Sequence, residues 1–185
     1  MQIESSGILC SAKINSNKAC YTFSSFVSLK NGSILATARG GNNKDSEFEG
    51  IEFFRSDDEG ENWSESWEPF KNVEIDNLKG SLKLCYLTEI SDSHIIASLL
   101  WIDRSSIPGK ELFNADTEGC LPMKILLADS YDNGNTWSKL RKVQLPNDIG
   151  PPSLTNPIMK LPNGKLIMSI ENNKDYYDES KWYQK

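Results

Sequence analysis

The sequence has only one histidine, His94, and its four cysteines form no Cys-x-x-Cys pair. A Cys/His zinc centre needs clustered ligands, so no metal is expected, and no cofactor either. Cys10, Cys20, Cys85 and Cys120 are expected to be reduced, half-buried thiols, with a single disulfide in an exported form as the alternative. No apolar run reaches the roughly eighteen residues of a membrane-spanning helix. The opening MQIESSGILCSAKI carries Glu4 and lacks an apolar core of signal-peptide length. The cytoplasm is therefore the default expectation, and the compartment is otherwise unassigned. Positive charge is also in short supply: 20 Lys and Arg face 26 Asp and Glu, for a net charge of −6. A nucleic-acid binder would show a basic face, so neither nucleic acid nor an anionic membrane surface is an expected partner. What remains is ordinary for a globular domain, with 38% hydrophobic and 25% charged residues.

The chain repeats itself. Three segments share an apolar strand, a tight polar turn and a second apolar strand: YTFSSFVSL-KNGS-ILATARG, SLKLCYLTEI-SDS-HIIASLLWIDR and TNPIMKL-PNGK-LIMSIENN. Asn31-Gly32 and Asn163-Gly164 predict type I′ hairpin turns. A third strand follows the first two hairpins, GIEFFRS and MKILLADS, and a fourth is expected in WEPFKNVEI and LRKVQL. Repeated four-stranded antiparallel units without helical periodicity predict an all-β fold of the β-propeller class. The boundaries are residues 19–78 for one blade, 79–147 for a second and 153–185 for the start of a third, with 1–18 as a strand of a closing blade. Roughly two and a half blades are fewer than a propeller needs. The chain is thus expected to be an N-terminal portion that associates with further blades or with itself. HIIASLLW suits a strand buried on both faces.

Each third strand runs into a matching octet, SDDEGENW (56–63) and SYDNGNTW (130–137). A calcium loop does not fit. Aligning Gly60 with the loop glycine of an EF-hand puts Arg55 at the first ligand position, and aligning Gly134 puts Tyr131 at the third. A structural role fits better. Ser56 and Asp58 can bond the turn's own backbone, Gly60 can take a positive φ, and Trp63 can bury apolar surface; Ser130, Asp132, Gly134 and Trp137 match them.

These octets resemble the Asp-box, or bacterial neuraminidase repeat, and the arrangement resembles the sialidase superfamily of six-bladed propellers. The likeness spans about Tyr21 to Ile170. It implies an exo-sialidase-type glycoside hydrolase, or a fragment of one, acting on glycans with an acidic sugar. Asp-boxes also occur outside sialidases, so a non-catalytic propeller that binds glycans or proteins through its loop face is the alternative.

Strand direction places the long, charged loops after each second strand on the face opposite the octets. Arg39 with Asp45, Glu47 and Glu49, then Asp103 and Arg104, then Glu171 begin these loops. An arginine fork suits a carboxylate, and a loop acid can act as acid/base; a solvated rim of surface charge is the plainer alternative. The resemblance carries over two residues, Arg39 for substrate binding and Asp45 as acid/base, from ATARGGNNKD. Asp103, Arg104 and Glu171 are further candidate ligand residues. The first strand carries Tyr21-Thr22-Phe23-Ser24-Ser25 where family members usually have Arg-Ile-Pro. The family's other arginines and its Tyr/Glu nucleophile come from later blades, and Tyr176, Tyr177 and Tyr183 do not match that pair. Trp101 is assigned to the core, with sugar stacking as the alternative; His94, Cys85 and Cys120 receive no catalytic role.

Overall fold

The structure is a computed structural model that describes residues 6–146 and 148–180. Residues 1–5 and 181–185, which include Tyr183, lie outside the described residues. Among the described residues there is no helix. The strands are β1 (Cys20–Ser28), β2 (Ile34–Gly41), β3 (Gly50–Ser56), β4 (Glu74–Ile75), β5 (Leu78–Ser91), β6 (His94–Asp103), β7 (Met123–Ser130), β8 (Arg141–Lys142), β9 (Pro152–Leu154), β10 (Met159–Lys160), β11 (Leu166–Ile167) and β12 (Ile170–Asn172). They form a three-stranded sheet β1-β2-β3, a five-stranded sheet β4-β5-β6-β7-β8, and two short pairs, β9 with β12 and β10 with β11. All pairings between these strands are antiparallel.

The turns differ from the type I′ expectation. Leu29 pairs with Ser33 and Leu161 with Lys165, so each loop has three residues, and only Gly32 and Gly164 take a positive φ. The two asparagines act through their side chains instead. Asn31 Oδ1 accepts from Ser33 N at 3.0 Å, and Asn163 Oδ1 accepts from Lys165 N at 3.1 Å. A true two-residue turn joins β4 to β5, where Asp76 and Asn77 both have positive φ.

The expected fourth strand of the first sheet is reduced to a single bridge between Phe53 and Trp67. Pro69 has no N–H to continue a ladder, and the chain crosses to the second sheet, where Glu74–Ile75 pairs with β5. Residues 6–18 form no strand; Leu9 and Cys10 lie against Ala36, Ala38 and Phe54 on the outer side of the first sheet.

The core is a seam between the two larger sheets. Ile95, Ala97, Leu99 and Trp101 of β6 face Leu35, Ile51 and Phe53 of the first sheet. Leu100 and Ile102, on the other side of the same strand, pack with Leu121, Ile125 and Leu154 toward β9. The central strand of the second sheet, β6, is buried on both faces, as its unbroken apolar run requires.

The two octets fold alike. Ser56 Oγ and Ser130 Oγ each donate to the aspartate two residues on, Asp58 and Asp132, at 2.8 Å and accept from the glycine N–H at 2.8 Å. Asp58 and Asp132 then accept from the backbone N–H four residues on, both at 2.9 Å. The tryptophans do not share one environment. Trp137 enters the seam edge-on to Phe53 and Phe70, at 5.5 and 5.8 Å between centroids. Trp63 occupies the outer side of the first sheet against Phe26. Asn133 O accepts from Arg55 Nη2, which pins the second turn to the first sheet.

This asymmetry gives a differential prediction. Both Gly60 and Gly134 have positive φ, but an added Cβ at Gly60 meets nothing closer than 3.8 Å, whereas at Gly134 it lands 2.4 Å from Leu35 Cδ1. Gly134→Ala should therefore lower the urea midpoint clearly more than Gly60→Ala, by the overpacking cost of about 1–3 kcal/mol. Phe53→Ala, in the middle of the seam, should cost about 3–5 kcal/mol in the same measurement.

Candidate functional site

Strand direction sends the hairpin tips and the octets to one end of the sheets and the loops after β2 and β6 to the other. At the loop end two β-bulges face each other. The β1–β2 register slips between Thr22 and Ser25, and the β5–β6 register slips between Leu82 and Leu84. Bulges re-aim side chains. Here they present Phe23, at a positive φ, and Lys83, whose Nζ lies 5.4 Å from the Phe23 ring centroid.

Glu49 is the centre of the cluster. Its side chain is fully buried, and three cations converge on it. Arg39 Nε donates to Oε2 at 2.6 Å, Arg104 Nη2 donates to Oε1 at 3.1 Å, and Lys83 Nζ stands 3.6 Å from Oε2. Ser81 Oγ donates to Oε1 at 2.9 Å and accepts from Arg104 Nε at 3.0 Å. Arg39 Nη2 lies 2.6 Å from Oε2 but out of line for a hydrogen bond, so it stays buried without one. A Cβ at Gly41 would lie 3.0 Å from that same nitrogen and from Ser46 Cβ, so the arginine folds back against a residue that leaves it room.

Asp45 is the exposed member, with 42% of its side chain accessible. It pairs with Lys83 at 2.7 Å, and Lys83 also donates to Lys44 O at 2.6 Å. Partial burial pushes the Asp45 carboxyl up, but the Lys83 ammonium, with Lys44 and Arg39, outweighs burial and holds it below the ordinary carboxylate value. Arg104 Nη2 also donates to Ser46 O at 3.3 Å, which ties the second loop to the first.

The remaining sequence candidates are placed elsewhere. Asp103 is buried and turned inward: Oδ1 accepts from Ser105 N and Ser106 N, and Oδ2 from Ser106 Oγ. Burial raises its carboxyl, and those hydrogen bonds more than offset this. Glu171 lies on β12, exposed, outside the Glu49 network. The structure thus unites Arg39, Asp45 and Arg104 and separates Glu171 from them. Lys83 and Ser81 were not singled out from the sequence. The available signal was a lone lysine inside the apolar strand SLKLCYL, where an unpaired charge is unexpected.

A cleft of about 430 Å³ opens between the two loops, lined by residues 42–48 together with Arg104, Gly109, Lys110 and Glu111. A second cleft, of about 610 Å³, reaches from Phe48 to Lys18, Glu52 and Glu68. Beside it Tyr21 donates its phenolic proton to Glu52 at 3.0 Å, and Lys18 pairs with the same carboxylate at 2.8 Å. Burial and the neighbouring Glu52 charge raise the Tyr21 phenol well above its usual value, and it stands as a hydrogen-bond donor to that carboxylate. Cys85 and Cys120 are buried free thiols, and burial pushes Cys120 up to about 12.

The fold is shared with carbohydrate-processing proteins. A Hadza microbial sialidase, Hz136, superposes with a TM-score of 0.67 at 18% identity, over 86% of this chain and 34% of its own. The NanB sialidase of Streptococcus pneumoniae gives 0.63 at 13% identity, over 89% and 43%. A PL25 ulvan lyase solved with a bound glucuronate–rhamnose sulfate repeat gives 0.60 at 13% identity, over 90% and 40%. The chain thus spans well under half the length of these structures, and at such identities the likeness is one of fold: all-β, sialidase-like and propeller-like. No family model matches the sequence, and no curated protein matches it.

Two outcomes are expected. Glu49→Gln should destabilise the chain by about 3–5 kcal/mol in urea unfolding, because buried Arg39 loses its counter-charge. In a carboxylate NMR titration Asp45 should titrate below an ordinary aspartate, and Lys83→Met should move it upward. Since the folded value is depressed, the Asp45 pairing contributes stability above the unfolded pKa of about 3.9, and that stability is lost as pH falls through the folded value.

Proposed function

We propose that the chain is a segment of a sialidase-like, six-bladed Asp-box propeller whose loop end holds a glycan with an acidic sugar. The observation that carries this is the cation cluster around Glu49. In a chain of net charge −6, Arg39 and Lys83, buried with Glu49 behind an inter-loop cleft, add to Lys44, Arg104 and Lys110 in its lining, so that five cations stand against Glu49, Asp45, Glu47 and Glu111. A local positive excess beside a polar cleft favours a carboxylate-bearing ligand. Arg39 orders the cluster through Glu49, and Arg104, Lys110 and Lys44 are the cations nearest the ligand. In the parent propeller the activity is exo-sialidase-type hydrolysis with Asp45 as acid/base, its nucleophile supplied by other blades. The uncovered apolar residues at the two ends of the sheet stack, Phe26 on one side and Met159, Leu166 and Ile167 on the other, are where those blades or a second copy pack.

One observation favours the alternative, a glycan-binding propeller without turnover. A general acid at neutral pH needs a raised pKa, and the Lys83 pairing works in the opposite direction on Asp45. A fluorogenic sialoside assay on the parent propeller, run beside glycan binding, separates the two. Turnover abolished by Asp45→Asn supports the hydrolase, binding of acidic glycans without turnover supports the binding module, and the absence of both overturns the proposal.

A further inference from the structure

Phe48 is 74% exposed, yet its backbone is tightly held. Phe48 N donates to Ser46 Oγ at 3.1 Å, Ser46 O accepts from Arg104, and the next residue, Glu49, is locked by the buried cations. A large apolar ring is thus presented to solvent on a backbone that these hydrogen bonds tie to both loops. Its position is specific, since Phe48 lines both clefts and stands at their junction. On the side of the smaller cleft its surroundings are polar: Asn42, Asn43, Lys44, Asp45 and Glu47 on one loop, with Lys110 and Glu111 across from it; the larger cleft adds Phe70 and Val73 beside Glu52 and Glu68. One exposed ring within a fringe of hydrogen-bonding groups matches a pyranose, which has an apolar C–H face and hydroxyls around its rim. It does not match an apolar ligand, which would leave those polar groups unpaired.

We infer that Phe48 is the stacking platform of a second sugar subsite, which takes the neutral ring next to an acidic residue held at the Arg104 side of the cleft. This rests on the anionic-glycan assignment above and extends it: the ligand is at least a disaccharide and crosses from one cleft toward the other. The cleft volumes of about 430 and 610 Å³ are in the range of ligand pockets that hold one or two rings each.

The test is titration of the intact chain with 3′-sialyllactose, with free sialic acid and with lactose, followed by NMR. Phe48→Ala should weaken sialyllactose roughly five- to tenfold, leave free sialic acid unchanged and leave the urea midpoint unchanged. Phe48→Trp should keep the affinity and shift its emission on binding. If wild type binds sialyllactose and Phe48→Ala binds it equally well, the platform is overturned while the anionic site stands. If Phe48→Ala weakens both ligands equally, the ring belongs to the acidic-sugar subsite and the two-ring assignment is overturned. If wild type binds neither acidic ligand, both assignments fail together.

Discussion

Burial of the second sheet's central strand on both faces is the constraint on which the rest of the structure depends. This strand, β6, has no solvent side, so every residue from Ile95 to Asp103 must be accommodated by a neighbouring layer. One layer is the first sheet, through Leu35, Ile51 and Phe53; the other is the third segment, through Leu154. Two sheets packed this way converge at the loop end. That convergence brings residues from β2, β5 and the loops before β3 and after β6 within bonding distance of one carboxylate.

The carboxylate is expensive to bury alone and is tolerated because the cations come with it. Arg39, Lys83 and Arg104 each arrive on a different segment, so the Glu49 network also fastens the two sheets at their polar end, while Trp137 fastens them near the other. Rigidity of the loop bearing Asp45 and Phe48 follows from this fastening. A ligand would meet a preformed surface, with little ordering left to do on binding.

The twin octets separate local from tertiary causes. Their hydrogen bonds are nearly identical because all partners lie within four residues of one another. The tryptophans that end them diverge because their surroundings depend on which sheet comes next. Trp137 finds Phe53 and Phe70, while Trp63 finds Phe26 and the cluster of Ala36, Ala38 and Phe54. Similarly, the hairpins at Asn31 and Asn163 were legible as turns, but their three-residue form was not. It follows from how Leu29 meets Ser33 and Leu161 meets Lys165 across the ladder.

The sequence by itself determined the all-β character, the hairpins and the octet turns, because strand alternation, turn chemistry and short-range hydrogen bonds are set by residues close in the chain. It also placed Arg39, Asp45 and Arg104 at the same end. Only the tertiary structure decided what those residues do there. Arg39 is buried against Glu49, Asp45 is paired with Lys83 from another sheet, and Asp103 is turned inward to its own loop. Lys83 stayed illegible because its role depends on a bulge and on a partner 38 residues away. No local pattern encodes that meeting; it arises when two apolar faces close on each other and leave their polar ends to find partners.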